Sequence, residues 1–118
     1  MRLSVQEINP DDTLQVSVDV TNTGLRAGKE VVQLYVRDKQ ARLQRPEKEL
    51  KAFAKVHLEP GECKTVTLSI GRSALAYYDD LAHRWVAESG EFEVLVGASS
   101  QDIHATATFV LTDSSSWL

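Results

Sequence analysis

From Leu14 to Val20 the chain places Leu14, Val16, Val18 and Val20 at every second position, with Gln15, Ser17 and Asp19 between them. Only an extended strand with one buried face fits that period, because a helix would scatter the same residues around its axis. The pattern returns at Val32, Leu34 and Val36, at Val66, Leu68 and Ile70, at Phe92, Val94 and Val96, and from Ile103 through Ala105, Ala107 and Phe109 to Leu111. Between these runs stand Asn9-Pro10-Asp11-Asp12, Asn22-Thr23-Gly24, Glu59-Pro60-Gly61-Glu62, Ser89-Gly90 and Gly97-Ala98-Ser99-Ser100, all residue types that favour turns. Strands at this spacing, with no long helical pattern, predict an all-β fold, an antiparallel β-sandwich of about seven strands.

The less regular stretches carry their own expectations. Leu3 to Ile8 reads as a short edge strand. In the run from Lys29 to Arg37, Val31 and Tyr35 fall on the face opposite Val32, Leu34 and Val36, which points to cover by a loop or another domain. Leu50, Phe53, Val56 and Leu58 share one face only if the strand changes phase near Ala52 to Ala54, as a bulge would allow. The Pro-Gly turn after Leu58 reads as a hairpin joining that strand to Val66–Ile70. Arg72 to Ala76 suits about one helical turn, with Ser73 as a candidate cap. Tyr77-Tyr78 and His83 to Ala87 read as short strands around an Asp79-Asp80 turn. The core is expected to be aliphatic, with Phe53, Phe92, Phe109 and Trp85 as its bulky members. Residues 1–112 form one domain in this reading, and 113–118 a polar tail containing Trp117.

A chain of 118 residues can bury one core. It has no apolar run approaching a membrane span, and Met1 to Ser4 lack the apolar segment of a secretory signal, so neither membrane insertion nor self-directed export is expected. A net charge of −4 argues against a nucleic-acid partner, which would call for a concentrated basic face. Cys63 is the only cysteine, so the fold must be held by its core. The compartment stays open, and the isolated domain is expected to be a monomer.

Little in the sequence suggests chemistry. His57, His83 and His104 fall in separate predicted strands with no metal-ligand spacing, and there is no phosphate loop or nucleophile elbow; no metal and no cofactor are expected. The acid pairs Asp11-Asp12 and Asp79-Asp80 lie at turns, where Asp bonds its own backbone, and Glu47 with Glu49 stands on a lysine-rich surface strand. No catalytic residue is assigned. Tyr77, Tyr78 and Trp85 could stack on sugars if exposed, although strand positions favour packing.

Taken in order, Val20-Thr21-Asn22-Thr23-Gly24, Gly28 to Asp38, Arg45-Pro46-Glu47-Lys48-Glu49-Leu50-Lys51-Ala52-Phe53, Leu58-Glu59-Pro60-Gly61-Glu62, Trp85, and Gly90-Glu91-Phe92 through Val96-Gly97-Ala98-Ser99-Ser100 resemble the C-terminal fibronectin type III-like domain of glycoside hydrolase family 3 enzymes, the β-glucosidases and β-xylosidases. The resemblance implies an immunoglobulin/fibronectin-like sandwich and a non-catalytic accessory role, with the catalytic residues in other domains. Its partners would be the catalytic domains of the same polypeptide. Tyr35, Arg45, Pro46, Glu47, Lys48 and Glu49 are the docking candidates under that reading, with Arg45 able to form a bidentate pair with a carboxylate. A carbohydrate-binding module using exposed aromatics and a generic spacer or adhesion module are the alternatives. Phe92 stands where immunoglobulin-like domains often carry a tyrosine corner and has no hydroxyl to close it.

Overall fold

The computed structural model describes residues 1–39, 48–99 and 101–118. In chain order these form β1 (Arg2–Leu3), β2 (Glu7–Ile8), β3 (Leu14–Thr21), β4 (Gly28–Asp38), β5 (Glu49–Leu58), β6 (Cys63–Ile70), α1 (Arg72–Leu75), β7 (Tyr77–Asp79), β8 (Arg84–Ala87), β9 (Gly90–Ser99), β10 (Asp102–Leu111) and β11 (Ser115–Trp117). A three-stranded sheet in the order β1-β3-β6 packs on a five-stranded sheet in the order β2-β10-β9-β4-β5, and β11-β8-β7 form a third, small sheet. The long pairings are antiparallel, and the short β2 runs parallel to β10.

The alternating residues are the reason the two main sheets face each other. Leu14, Val16 and Val18 of β3 and Val66 and Ile70 of β6 meet Val32, Leu34 and Val36 of β4, Phe92, Val94 and Val96 of β9, and Phe109 and Leu111 of β10 in one buried cluster. Phe92 and Phe109 are opposite each other in the β9–β10 register and stack with ring centroids 5.7 Å apart. Complete burial of a side chain of this size stabilises by roughly 2–3 kcal/mol.

Several expectations change once the strands are paired. The turn at 59–62 does not make a hairpin: β5 pairs with β4 and β6 with β3, so the chain crosses from one sheet to the other there. Gly61, at φ 77°, takes the left-handed conformation that this crossing turn needs. Residues 3–8 are likewise split, β1 joining one sheet and β2 the other. The phase change in β5 comes one or two residues early. Leu34 pairs with Ala52 while Tyr35 pairs with Leu50, leaving Lys51 as the extra residue of a bulge. Beyond it Ala52, Ala54 and Val56 pack on the core and Leu58 is fully buried, so Phe53 points away and is 63% exposed. Trp85 is also outside the core, at 43% exposure.

The C-terminal residues are not a loose tail. Ser115, Ser116 and Trp117 pair with Ala87, Val86 and Trp85, and Trp117 packs on the core's edge with the Arg72 guanidinium 4.5 Å above its ring. The helical turn begins at Gly71 with no side-chain cap, so Ser73 does not serve as one. His83 lies in the β7–β8 turn at φ 54° rather than in a strand. Strand β9 runs on through Ser99, and Gly97 sits in an irregular stretch of the β9–β10 register where a Cβ would stand 2.1 Å from the Asp102 carbonyl oxygen.

Candidate docking surface

The two outer faces of the sandwich differ in kind. On the three-stranded sheet, β3 and β6 present a ladder of polar cross-strand pairs: Ser17 with Thr67 at 3.0 Å, Thr65 donating to Asp19 at 2.7 Å, and Ser69 donating to Gln15 at 2.7 Å. Arg2 reaches across from β1 to both carboxylate oxygens of Asp19, at 3.1 and 3.2 Å. The hydrogen bond from Arg2, followed by that from Thr65, lowers the Asp19 carboxyl to a pKa of about 2. These outward side chains pair with one another across the strands.

The five-stranded sheet's outer face is different. Cross-strand register puts Leu50 and Phe53 of β5, Tyr35 and Gln33 of β4, and Leu95 of β9 side by side on it. Tyr35 and Leu95 are buried, at 8% and 9% exposure, while Leu50 is 49% exposed and Phe53 more so. Along the same face Arg37 donates to Glu93 at 2.7 Å, and Lys39 approaches Glu91 and Glu93 at 3.7 and 4.0 Å. The result is an apolar patch beside a band of paired charges. Isolated exposed apolar residues need no explanation, but Leu50 and Phe53 are exposed on the same sheet face, flanking the covered Tyr35 and Leu95, and such a pair is a candidate contact for a partner.

The docking candidates read from the sequence divide accordingly. Tyr35 is on the expected face and is covered within this domain, one of the two kinds of cover expected there, and its hydroxyl donates to Gln33. Lys48 is half-buried, and Glu49 accepts from Lys51 at 3.2 Å. Arg45, Pro46 and Glu47 lie outside the described residues. Sequence reasoning missed Phe53 and Leu50, because it put both on the core side of β5. Only the pairing with β4 shows where the extra residue falls.

Of the candidates for sugar stacking, Tyr77 is half-buried and donates its hydroxyl to Glu88. Tyr78 and Trp85 are exposed together, but their rings meet edge to face at 78°, which gives no shared flat platform. The acids act as the turns require. Asp79 accepts from the backbone of Leu81 and Ala82 at 3.0 and 3.2 Å, and Asp12 accepts from the Asn9 amide at 3.0 Å. Among the described residues no three His, Cys, Asp or Glu side chains come together as a metal site would require.

Another residue, which the sequence marked only as a turn, is a structural centre. Asn22 is buried at the end of β3. Its side-chain amide donates to the carbonyls of Arg26 and Leu58 at 2.8 and 3.0 Å, and its carbonyl oxygen accepts from Gly24 at 2.9 Å. Its backbone donates to Glu62 at 2.9 Å and accepts from Gly61 at 2.8 Å. One side chain thereby ties the end of β3 to the crossing between the sheets.

A two-sheet sandwich with an aliphatic core and a crossing between the sheets after β5 defines the chain as an immunoglobulin/fibronectin-like module. More narrowly, residues 30–100 match the fibronectin type III-like domain family, and the chain belongs to that family. It is 51% identical over 98 residues to the thermostable β-glucosidase B of Acetivibrio thermocellus, covering 83% of this chain and 13% of that protein. It is 49% identical over 107 residues to the β-glucosidase BoGH3A of Bacteroides ovatus, covering 91% of this chain and 14% of the relative. The crystal structure of a Kluyveromyces marxianus β-glucosidase superposes with a TM-score of 0.91 at 42% identity, over 99% of this chain and 14% of that one. The chain thus spans only 13–14% of the length of these curated relatives.

Proposed function

We propose that this chain is a non-catalytic accessory domain of a glycoside hydrolase family 3 β-glucosidase, packing against the catalytic domains of its parent polypeptide and stabilising them. The observation that carries this reading is the asymmetry of the outer faces. The β3–β6 face satisfies its polar groups internally, whereas the β5–β4–β9 face leaves Leu50 and Phe53 exposed beside Tyr35 and Leu95. That most of the relatives' length lies outside the match supports a partner for that second face within the same polypeptide. On this reading glycoside hydrolysis belongs to the parent and this domain contributes no catalytic group. Sugar stacking on Tyr78 and Trp85 has less behind it, because perpendicular rings offer a sugar one aromatic face at a time.

The test is made in a full-length β-glucosidase carrying this domain. Changing Leu50 and Phe53 together to Ser should lower the thermal midpoint of the whole enzyme by several degrees, since each buried side chain contributes roughly 1.5–3 kcal/mol. The same pair of changes in the isolated domain should lower its midpoint less than in the full enzyme, because Leu50 is already 49% and Phe53 63% exposed there. An unchanged midpoint in the full enzyme would remove this face as the docking surface.

A further inference from the structure

The small sheet is attached to the sandwich differently from the way the sandwich is held to itself. Strands β11, β8 and β7 pair with one another, and among the described residues none of them pairs with a strand of either main sheet. Ala87 is the one residue of these three strands that is fully buried, whereas Tyr78 and Trp85 are each 43% exposed. By contrast, β9 alone buries both Phe92 and Val94 completely. Moving the small sheet off its seat with the main sheets closed therefore brings little apolar surface into water, and the free energy of such a local opening follows the surface it exposes.

Two connectors leave the sandwich for this sheet, and they meet at one place. The chain passes from β8 to β9 through Ser89 and Gly90, with Gly90 at φ 140°, a conformation that favours glycine. It passes from β10 to β11 through residues 112–114, where the Thr112 amide still donates to the Ile8 carbonyl at 2.8 Å. The Ser89 amide donates to the Ser114 hydroxyl at 2.8 Å, and the two hydroxyls lie 3.3 Å apart, which sets a pivot at the boundary. The free end of β11 is fastened by side chains. Arg72 of α1 donates to the Ser115 hydroxyl at 3.2 Å and lies over the Trp117 ring, which packs on the core's edge. We propose that β7, β8 and β11 open as one unit about Ser89, Gly90 and Ser114 while the two main sheets stay closed, and that Trp117 beneath Arg72 is the latch. Opening uncovers Ala87 and releases Ser115–Trp117, and it calls for no partner.

Amide hydrogen exchange of the chain, followed by NMR, reads this opening directly. Relative to their unprotected rates, Trp85 and Val86 in the middle strand of the small sheet should exchange at least about a hundredfold faster than Val94 and Leu95 in β9, and with a weaker dependence on added urea. Trp117→Ala should speed Trp85 and Val86 by about tenfold or more. Val18→Ala, on β3 opposite Val66, should speed Val94 and Leu95 by about tenfold and leave Trp85 and Val86 unchanged, because the sandwich is intact whether the small sheet is closed or open. Acceleration of both sets by Val18→Ala, or no acceleration of Trp85 and Val86 by Trp117→Ala, overturns the proposal. If Val18→Ala does not fold, the unaltered chain decides: equal protection and equal urea dependence of the two sets show a single cooperative body and overturn it as well.

Discussion

At the scale of single residues, two polar side chains do more than the turns and surfaces around them suggest. Asn22 makes both donor bonds of its amide and one acceptor bond from a buried position, and no other common side chain supplies that set in the same volume. Asn22→Ala leaves the Leu58 carbonyl without this donor and frees the end of β3. It should cost about 2–3 kcal/mol in denaturant unfolding with an unchanged m-value. Asp19 acts through charge at the surface. Its carboxyl has a pKa of about 2 in the fold and about 3.9 when unfolded, so the unfolded chain binds this proton first. The stabilisation by Arg2 and Thr65 is thus present above about pH 4 and is lost as pH falls through 2. Thermal midpoints measured from pH 5 to pH 2 should decline less steeply in Asp19→Asn than in the parent sequence, and parallel curves would contradict the assignment.

Among the elements, β11 and β5 show how pairing overrides local pattern. Asp113 to Leu118 has no alternation and reads as a tail, yet Ser115–Trp117 extends the β7–β8 pair, and Trp117 lies between the core's edge and Arg72. Deleting Ser115–Leu118 removes that cover from beside the buried Ala87 and should lower stability by about 2 kcal/mol, read as a shift in urea midpoint. In β5 a single extra residue at Lys51 decides which side every later residue takes. The sequence does contain the signal. Ala52, Ala54, Val56 and Leu58 alternate without interruption, but the size of Phe53 draws attention to the other phase, and the smaller residues prove to be the ones that fit against the facing sheet.

For the whole molecule, the extents of 53 × 25 × 22 Å and a radius of gyration of 15.8 Å describe a body longer than a compact chain of this size, for which roughly 13–14 Å would be usual. An elongated module offers a large lateral surface for its volume. On one broad face that surface is a polar ladder, and on the other it carries Leu50 and Phe53. The expected loss of thermal midpoint on changing Leu50 and Phe53 belongs to this scale, because it depends on what the face meets in the full enzyme.

The amino-acid sequence by itself determined that the chain is all-β, where its regular strands lie, and which residues on β3, β4, β9 and β10 face inward. Period-two alternation is a local property, enforced residue by residue by the direction of each Cβ. The resemblance, carried by the stretch from Val20 to Ser100, pointed to the family that residues 30–100 match. Tertiary structure decided what depends on distant partners: that β5 and β6 belong to different sheets, that Phe53 faces outward, that Tyr35 is covered, and that Asn22 closes the crossing. Each of these turns on a register or a hydrogen bond between residues far apart in the chain. A one-residue bulge in one strand is enough to exchange core for surface along the rest of it.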